Sequence, residues 1–89
     1  MKKSLILFSL VLALVLFSTS AFAQTYVVGT NASFPPFEYV EEGEIVGFDI
    51  DLVKAIADVQ GFEVEFRDLS FDSLIPALSS GSLDIVAAG

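Results

Sequence analysis

The chain of 89 residues has no cysteine, no histidine and no tryptophan. Without cysteine there is no disulfide staple, and no thiolate to bind a metal or act as a nucleophile. Without histidine the commonest general base and zinc ligand is missing too. Positive charge is scarce. Lys and Arg number 4 against 12 Asp and Glu, and Lys2 and Lys3 stand at the very start. From Gln24 onward only Lys54 and Arg67 oppose twelve acids, a net charge of about −10. That balance argues against nucleic acid or an anionic membrane surface as partner. Neither glycine-rich phosphate motif, G-x-G-x-x-G or G-x-x-x-x-G-K-[ST], occurs. The alternating acidic pattern of an EF-hand calcium loop is missing as well. No cofactor and no metal is therefore expected.

What is present begins with an export signal. Lys2 and Lys3 precede residues 5–17, which are apolar except for Ser9. Ser18, Thr19 and Ser20 turn polar, and Ala21-Phe22-Ala23 offers small residues at the two positions a signal peptidase reads. A spanning helix needs about 20 apolar residues, and this run is shorter. Residues 1–23 thus read as a cleavable signal peptide, and residues 24–89 as the mature portion. With no cysteine to carry a lipid, the exported species is expected to be soluble and to reside in a periplasm. A mature piece of roughly 66 residues buries only about 60% of its surface. Its last residues, Leu83-Asp84-Ile85-Val86-Ala87-Ala88-Gly89, read as a core strand with nothing after it. Residues 24–89 are accordingly expected to be the N-terminal part of a longer protein.

The hydrophobic pattern then alternates between two periods. Tyr26, Val27 and Val28 mark a strand over residues 25–30. Asn31-Ala32-Ser33 reads as a turn, and Pro35-Pro36 stops any ladder. A short strand over 37–40, a turn at Glu41-Glu42-Gly43-Glu44 and a return through Ile45-Val46 form a hairpin. Ile50, Val53, Ile56 and Ala57 fall on one helical face, with Asp49 as N-cap and Gly61 beyond the end. Residues 63–67 alternate as a strand with one polar face. Asp72 is placed to cap a second helix running to about Ser80, with Pro76 in its first turn and Gly81 at its end. Residues 83–88 form the third long strand. Strand, hairpin, helix, strand, helix, strand predicts an α/β fold with a parallel sheet and flanking helices. Ligands bind such sheets beyond the carboxyl ends of the strands. Residues 31–36, residues 69–72 and whatever follows Ala88 sit there.

Those loops hold the candidate site residues. Phe34 precedes two prolines and Phe71 opens a helix, so two rings at neighbouring strand ends can sandwich a small molecule or plug the core. Asn31 can bond a ligand or its own backbone in a turn. Asp49 and Asp51 point different ways on a helix, and Glu41, Glu42 and Glu44 read as a solvated turn. No acid and base pair emerges.

Three blocks carry a family resemblance. They are Gly29-Thr30-Asn31-Ala32-Ser33-Phe34-Pro35-Pro36-Phe37-Glu38-Tyr39, then Gly47-Phe48-Asp49-Ile50-Asp51-Leu52 with Lys54-Ala55-Ile56-Ala57, then Phe71-Asp72-Ser73-Leu74-Ile75-Pro76-Ala77-Leu78 running into Gly81-Ser82-Leu83-Asp84-Ile85-Val86. In this order, behind an export signal, the chain resembles the N-terminal part of the extracellular solute-binding proteins of polar-amino-acid ABC transporters. It departs at Gln60, where the family keeps an apolar or small residue, and at Phe71, where many relatives carry Trp. The resemblance implies a periplasmic-binding-protein-like fold of two α/β lobes closing on a ligand, with this chain a partial first lobe. It also implies that Phe34 and Phe71 pack on a bound amino acid and that Asn31 touches its side chain. The strand end at Ala88 and Gly89 would accept its α-ammonium through backbone carbonyls. The implied partners are an amino acid and the membrane permease of an ABC transporter, with the protein itself a monomer and not an enzyme. A sensor domain and a periplasmic enzyme, a dehydratase or peptidoglycan-cleaving protein, are the alternatives on the same fold. Because buried charges need partners on every side, residues 24–89 alone are expected to bind weakly or not at all.

Overall fold

A computed structural model describes residues 2–18 and 23–89. Helix α1 covers Lys2–Ser18, and no described helix is long and apolar enough to cross a membrane. Most of the expected cleavage site, Ala21 and Phe22 included, lies outside the described residues.

Two small sheets follow. Strands β1 (Thr25–Thr30), β5 (Glu63–Asp68) and β6 (Ile85–Val86) form a parallel sheet in the order β5-β1-β6. Strands β2 (Ser33–Phe34), β3 (Glu38–Glu41) and β4 (Glu44–Val46) form an antiparallel sheet in that order. Helix α2 (Phe48–Gln60) packs on β5 and on the small sheet, and α3 (Phe71–Ser80) packs on β1 and β6. The α/β architecture with a parallel sheet and flanking helices is as expected.

The first strand is central, and its carboxyl end is buried. Val28 and Thr30 are fully buried. Gly29 between them leaves room for α3 and the turn after it. A methyl group there would collide with Leu83 and come within 3.1 Å of Leu74 Cδ2. Val28, Ile50, Ala57, Leu74 and Leu83 make the buried core. Strand β5 has the one-sided alternation expected of it, with Val64 and Phe66 turned inward. Ile56 departs from expectation and is half-exposed.

Ser33, expected in a turn, pairs with Tyr39 in the short strand β2. Strand β3 shifts by a residue, β5 runs a residue longer, and the larger departures are at α2, α3 and β6. Helix α2 is capped by Gly47, not Asp49. The Phe48 and Asp49 amides donate to the Pro36 and Phe37 carbonyls at 3.0 and 2.9 Å, so neighbouring backbone satisfies the helix start and no side-chain cap is needed. Gly47 suits this role, since its φ of 133° and the closeness of Phe37 O exclude a side chain. Helix α3 starts at Phe71 behind Ser70, so Pro76 is an interior residue rather than a first-turn one. The Asp72 carbonyl thereby loses its helical donor, on a face where Asp72 and Pro76 are both exposed to water. Strand β6 is shorter than residues 83–88, because the Ser82 and Leu83 amides still bond Ala77 O at the helix end. Its ladder is extended by Asp84 N–H to Val27 O and Ala87 N–H to Gly29 O, both 2.9 Å.

The hairpin turn is as expected. Glu42 and Gly43 both have positive φ, 50° and 79°, the geometry of a two-residue hairpin loop.

Candidate functional site

The topology gathers the predicted loops. Because β1 lies between β5 and β6, the loop leaving β1 at Asn31 is flanked by the loop leaving β5 at Leu69 and by the end of β6 at Ala87. All three leave carboxyl ends of parallel strands, so their side chains and free backbone groups share one edge of the sheet.

Neither predicted ring is a core plug. Phe34 is 50% exposed and Phe71 58% exposed. Phe34 stacks on Phe37 with centroids 5.4 Å apart and planes 21° apart, and Phe37 meets Phe48 edge-on at 6.5 Å. Phe71 stacks on no other ring among the described residues. Phe34 and Phe71 are thus open apolar surfaces at neighbouring strand ends, one braced by a ring behind it and one at a helix start.

Asn31 bridges the two loops. Its Nδ2 donates to Leu69 O at 2.8 Å, and its Oδ1 accepts from Ser33 Oγ at 2.8 Å. The same seam is closed by Leu69 N–H to Thr30 O and by Ala32 N–H to Asp68 Oδ1, both 2.9 Å. The three bonds that cross the seam fix the loop that carries Phe34 against the loop that leads to Phe71, and the Ser33 bond braces the first loop internally. Asn31 does more here than bond its own turn, since its partner Leu69 lies 38 residues away.

The end of β6 brings in a residue that sequence reasoning passed over. Gly89 N–H donates to Glu38 Oε1 at 2.5 Å. Glu38 is only 1% exposed, and its Oε2 has no hydrogen-bond partner among the described residues. Burial raises its pKa above the ordinary carboxylate value, the neighbouring Asp49 carboxyl raises it further, and the Gly89 amide pulls the other way. In the sequence, Glu38 is one acid among many near a turn. Its place in the Phe37-Glu38-Tyr39 run, an acid flanked by two ring residues, is the available signal. Ala88 is half-buried and Gly89 exposed. No group of three or more acidic residues able to hold a metal ion exists among the described residues.

The fold gathers its open loops at the carboxyl edge of a parallel sheet, where α/β folds take ligands. The profile of the bacterial extracellular solute-binding proteins, family 3, matches residues 26–89, and the chain belongs to that family. The arginine-binding extracellular protein ArtP of Bacillus subtilis is 49% identical over 63 residues, which is 71% of this chain and 25% of that protein. The ABC transporter arginine-binding protein 1 of Escherichia coli is 44% identical over 88 residues, 98% of this chain and 35% of that protein. Among solved structures, an ancestral arginine-binding protein bound to arginine superposes with a TM-score of 0.71 at 54% identity, over 76% of this chain and 30% of that one. The arginine-bound form of domain 1 from TmArgBP superposes at 0.70 with 48% identity, over 73% of this chain and 52% of that one. The chain thus spans about a quarter to a third of the curated relatives it matches.

Proposed function

We propose that residues 24–89 are the first part of lobe one of an amino-acid capture protein, which delivers its ligand to the membrane permease of an ABC transporter. The observation that carries this reading is the pair of half-exposed rings, Phe34 and Phe71, at the carboxyl ends of two adjacent parallel strands. An apolar ring held open to water at a sheet's ligand edge has a ready use in stacking. A planar cation such as a guanidinium laid on such a ring gains about 0.5–2 kcal/mol, more when water is excluded. Relatives named for arginine and histidine support a polar, basic amino acid as the ligand class. The strand end at Ala88 and Gly89 supplies backbone acceptors for the α-ammonium, and Asn31 sets the loop that faces the ligand side chain.

The role is capture, with no catalytic step, and the protein acts as a monomer. Residues 1–23 are its cleavable leader and a periplasm its place of work. A solved structure of domain 1 from TmArgBP is arginine-bound, which supports lobe one as a part that contacts the ligand.

The test is a thermal-shift screen of the full-length protein, leader removed, against the common amino acids. A ligand that binds only the native state raises the melting temperature, by about 2.7 kcal/mol of added stability at a hundredfold excess over Kd. The expected result is a clear rise with arginine or another basic amino acid. No rise with any amino acid overturns the reading.

A further inference from the structure

Glu38 is hidden, half-satisfied and placed behind the ligand edge. It is the cross-strand partner of Phe34 in the β2–β3 pairing. Its Oε1 holds the Gly89 amide, and the Phe34 ring crowds Gly89 too: an added methyl would come within 2.6 Å of Phe34 Cδ1 and 3.2 Å of Glu38 Oε1. Gly89 is therefore packed closely against both an acid and a ring. The peptide joining Ala88 to Gly89 is planar, and in a trans peptide an N–H aimed at Glu38 aims the Ala88 carbonyl the opposite way. The direction of the proposed ammonium acceptor is set from behind, by Glu38.

The other oxygen, Oε2, is buried without a donor among the described residues. The titratable group that bears on this side chain is the carboxyl of Asp49, in the first turn of α2. Two carboxylates are both acceptors, so they bond one another only through a shared proton. A proton on Oε2 satisfies the orphan atom and removes the cost of a buried charge in one step.

We propose that Glu38 is a positioning residue for the ligand's backbone contact, held as a neutral acid that accepts from the Gly89 amide and donates to the Asp49 carboxyl. The tie joins the end of β6, the small sheet and the start of α2. It rests on the reading of Ala88 and Gly89 as the ammonium site.

The test uses the full-length protein with L-arginine as the probe, and the variants Glu38→Gln and Glu38→Ala. An amide can accept from Gly89 and donate to Asp49 as the neutral acid does, so Glu38→Gln keeps both bonds. Calorimetry is expected to show Glu38→Ala binding arginine about tenfold more weakly, with Glu38→Gln restoring most of the loss. Carbon-13 NMR of the Glu38 carboxyl is expected to show the neutral form persisting above the pH at which ordinary carboxyls ionise. The Gly89 amide, followed by hydrogen exchange without ligand, is expected to exchange faster in Glu38→Ala than in the wild type and Glu38→Gln. A carboxyl that ionises at ordinary pH overturns the proposal, as does a Glu38→Gln protein no better than Glu38→Ala. If Glu38→Ala does not fold, the carboxyl titration and Glu38→Gln decide. If no amino acid binds the wild type while the titration and exchange behave as expected, the capture reading falls and the proton-held tie stands.

Discussion

The two sheets of this molecule are built on opposite terms. The parallel sheet β5-β1-β6 is apolar where it counts, and its centre, Val28, Gly29 and Thr30, is closed to solvent by α3 and Leu83. The antiparallel sheet β2-β3-β4 is short and mostly exposed, with Val40 half open to water and three glutamates about its turn. Yet the small sheet hides the buried carboxyl and carries Phe34. One sheet supplies stability and the other supplies aim. Burial in the first is driven by area, about 25 cal/mol per Å² of apolar surface. Order in the second depends on a few specific bonds, which is why single polar residues matter there.

The contrast makes its largest prediction in the parallel layer. Leu74→Ala is expected to cost about 2–5 kcal/mol, since it opens a cavity against β1. Val40→Ala in the small sheet should cost well under half as much. Urea midpoints of the two variants measure the difference, and equal losses would erase the division. At the ligand edge the balance reverses. Phe34→Ala and Phe71→Ala are each expected to weaken arginine binding by about tenfold or more in calorimetry, while half-exposed positions leave the melting temperature within a few degrees. Loss of stability without loss of affinity would make these rings packing residues after all.

Asn31→Ala should cost about 1 kcal/mol, because it strips Leu69 O of its side-chain donor and loosens the seam between the two loops. Its signature is faster hydrogen exchange at Leu69 and Ser33. A graded effect comes from Glu38. Its folded pKa is raised, so its contribution to stability is complete below the ordinary carboxylate pKa and is lost as pH rises through the raised value. Urea midpoints between pH 4.5 and 8 should therefore fall with pH more steeply for the wild type than for Glu38→Gln. The smallest effect is in the hairpin. Glu42 has positive φ ahead of Gly43, where Asn is preferred, so Glu42→Asn should stabilise by about 0.5 kcal/mol.

Much of this could be read along the chain. Period and breakers located every long element within a few residues, and the placing of Asn31, Phe34 and Phe71 at carboxyl ends followed from the α/β order alone. The misplacements share a cause. Asp49 has the chemistry of an N-cap, but the Pro36 and Phe37 carbonyls reach the amides of α2 first. Pro76 suits a first turn, but the helix begins earlier, behind Ser70. In both cases a distant part of the backbone, or its absence, overrode a local preference.

The scarcity of reactive side chains, no cysteine, no histidine and hardly a base beyond Ala23, is set by the sequence and needs no structure. Composition fixes which chemistries are available, and periodicity fixes which segments become strands and helices. Only the tertiary structure could decide that β1 is the central strand, that Asn31 bonds Leu69, and that Glu38, of all twelve acids, is the one shut away from water against Gly89. Those facts join residues 38 and 51 positions apart. No local preference encodes them, because the partner's location exists only once the chain has folded.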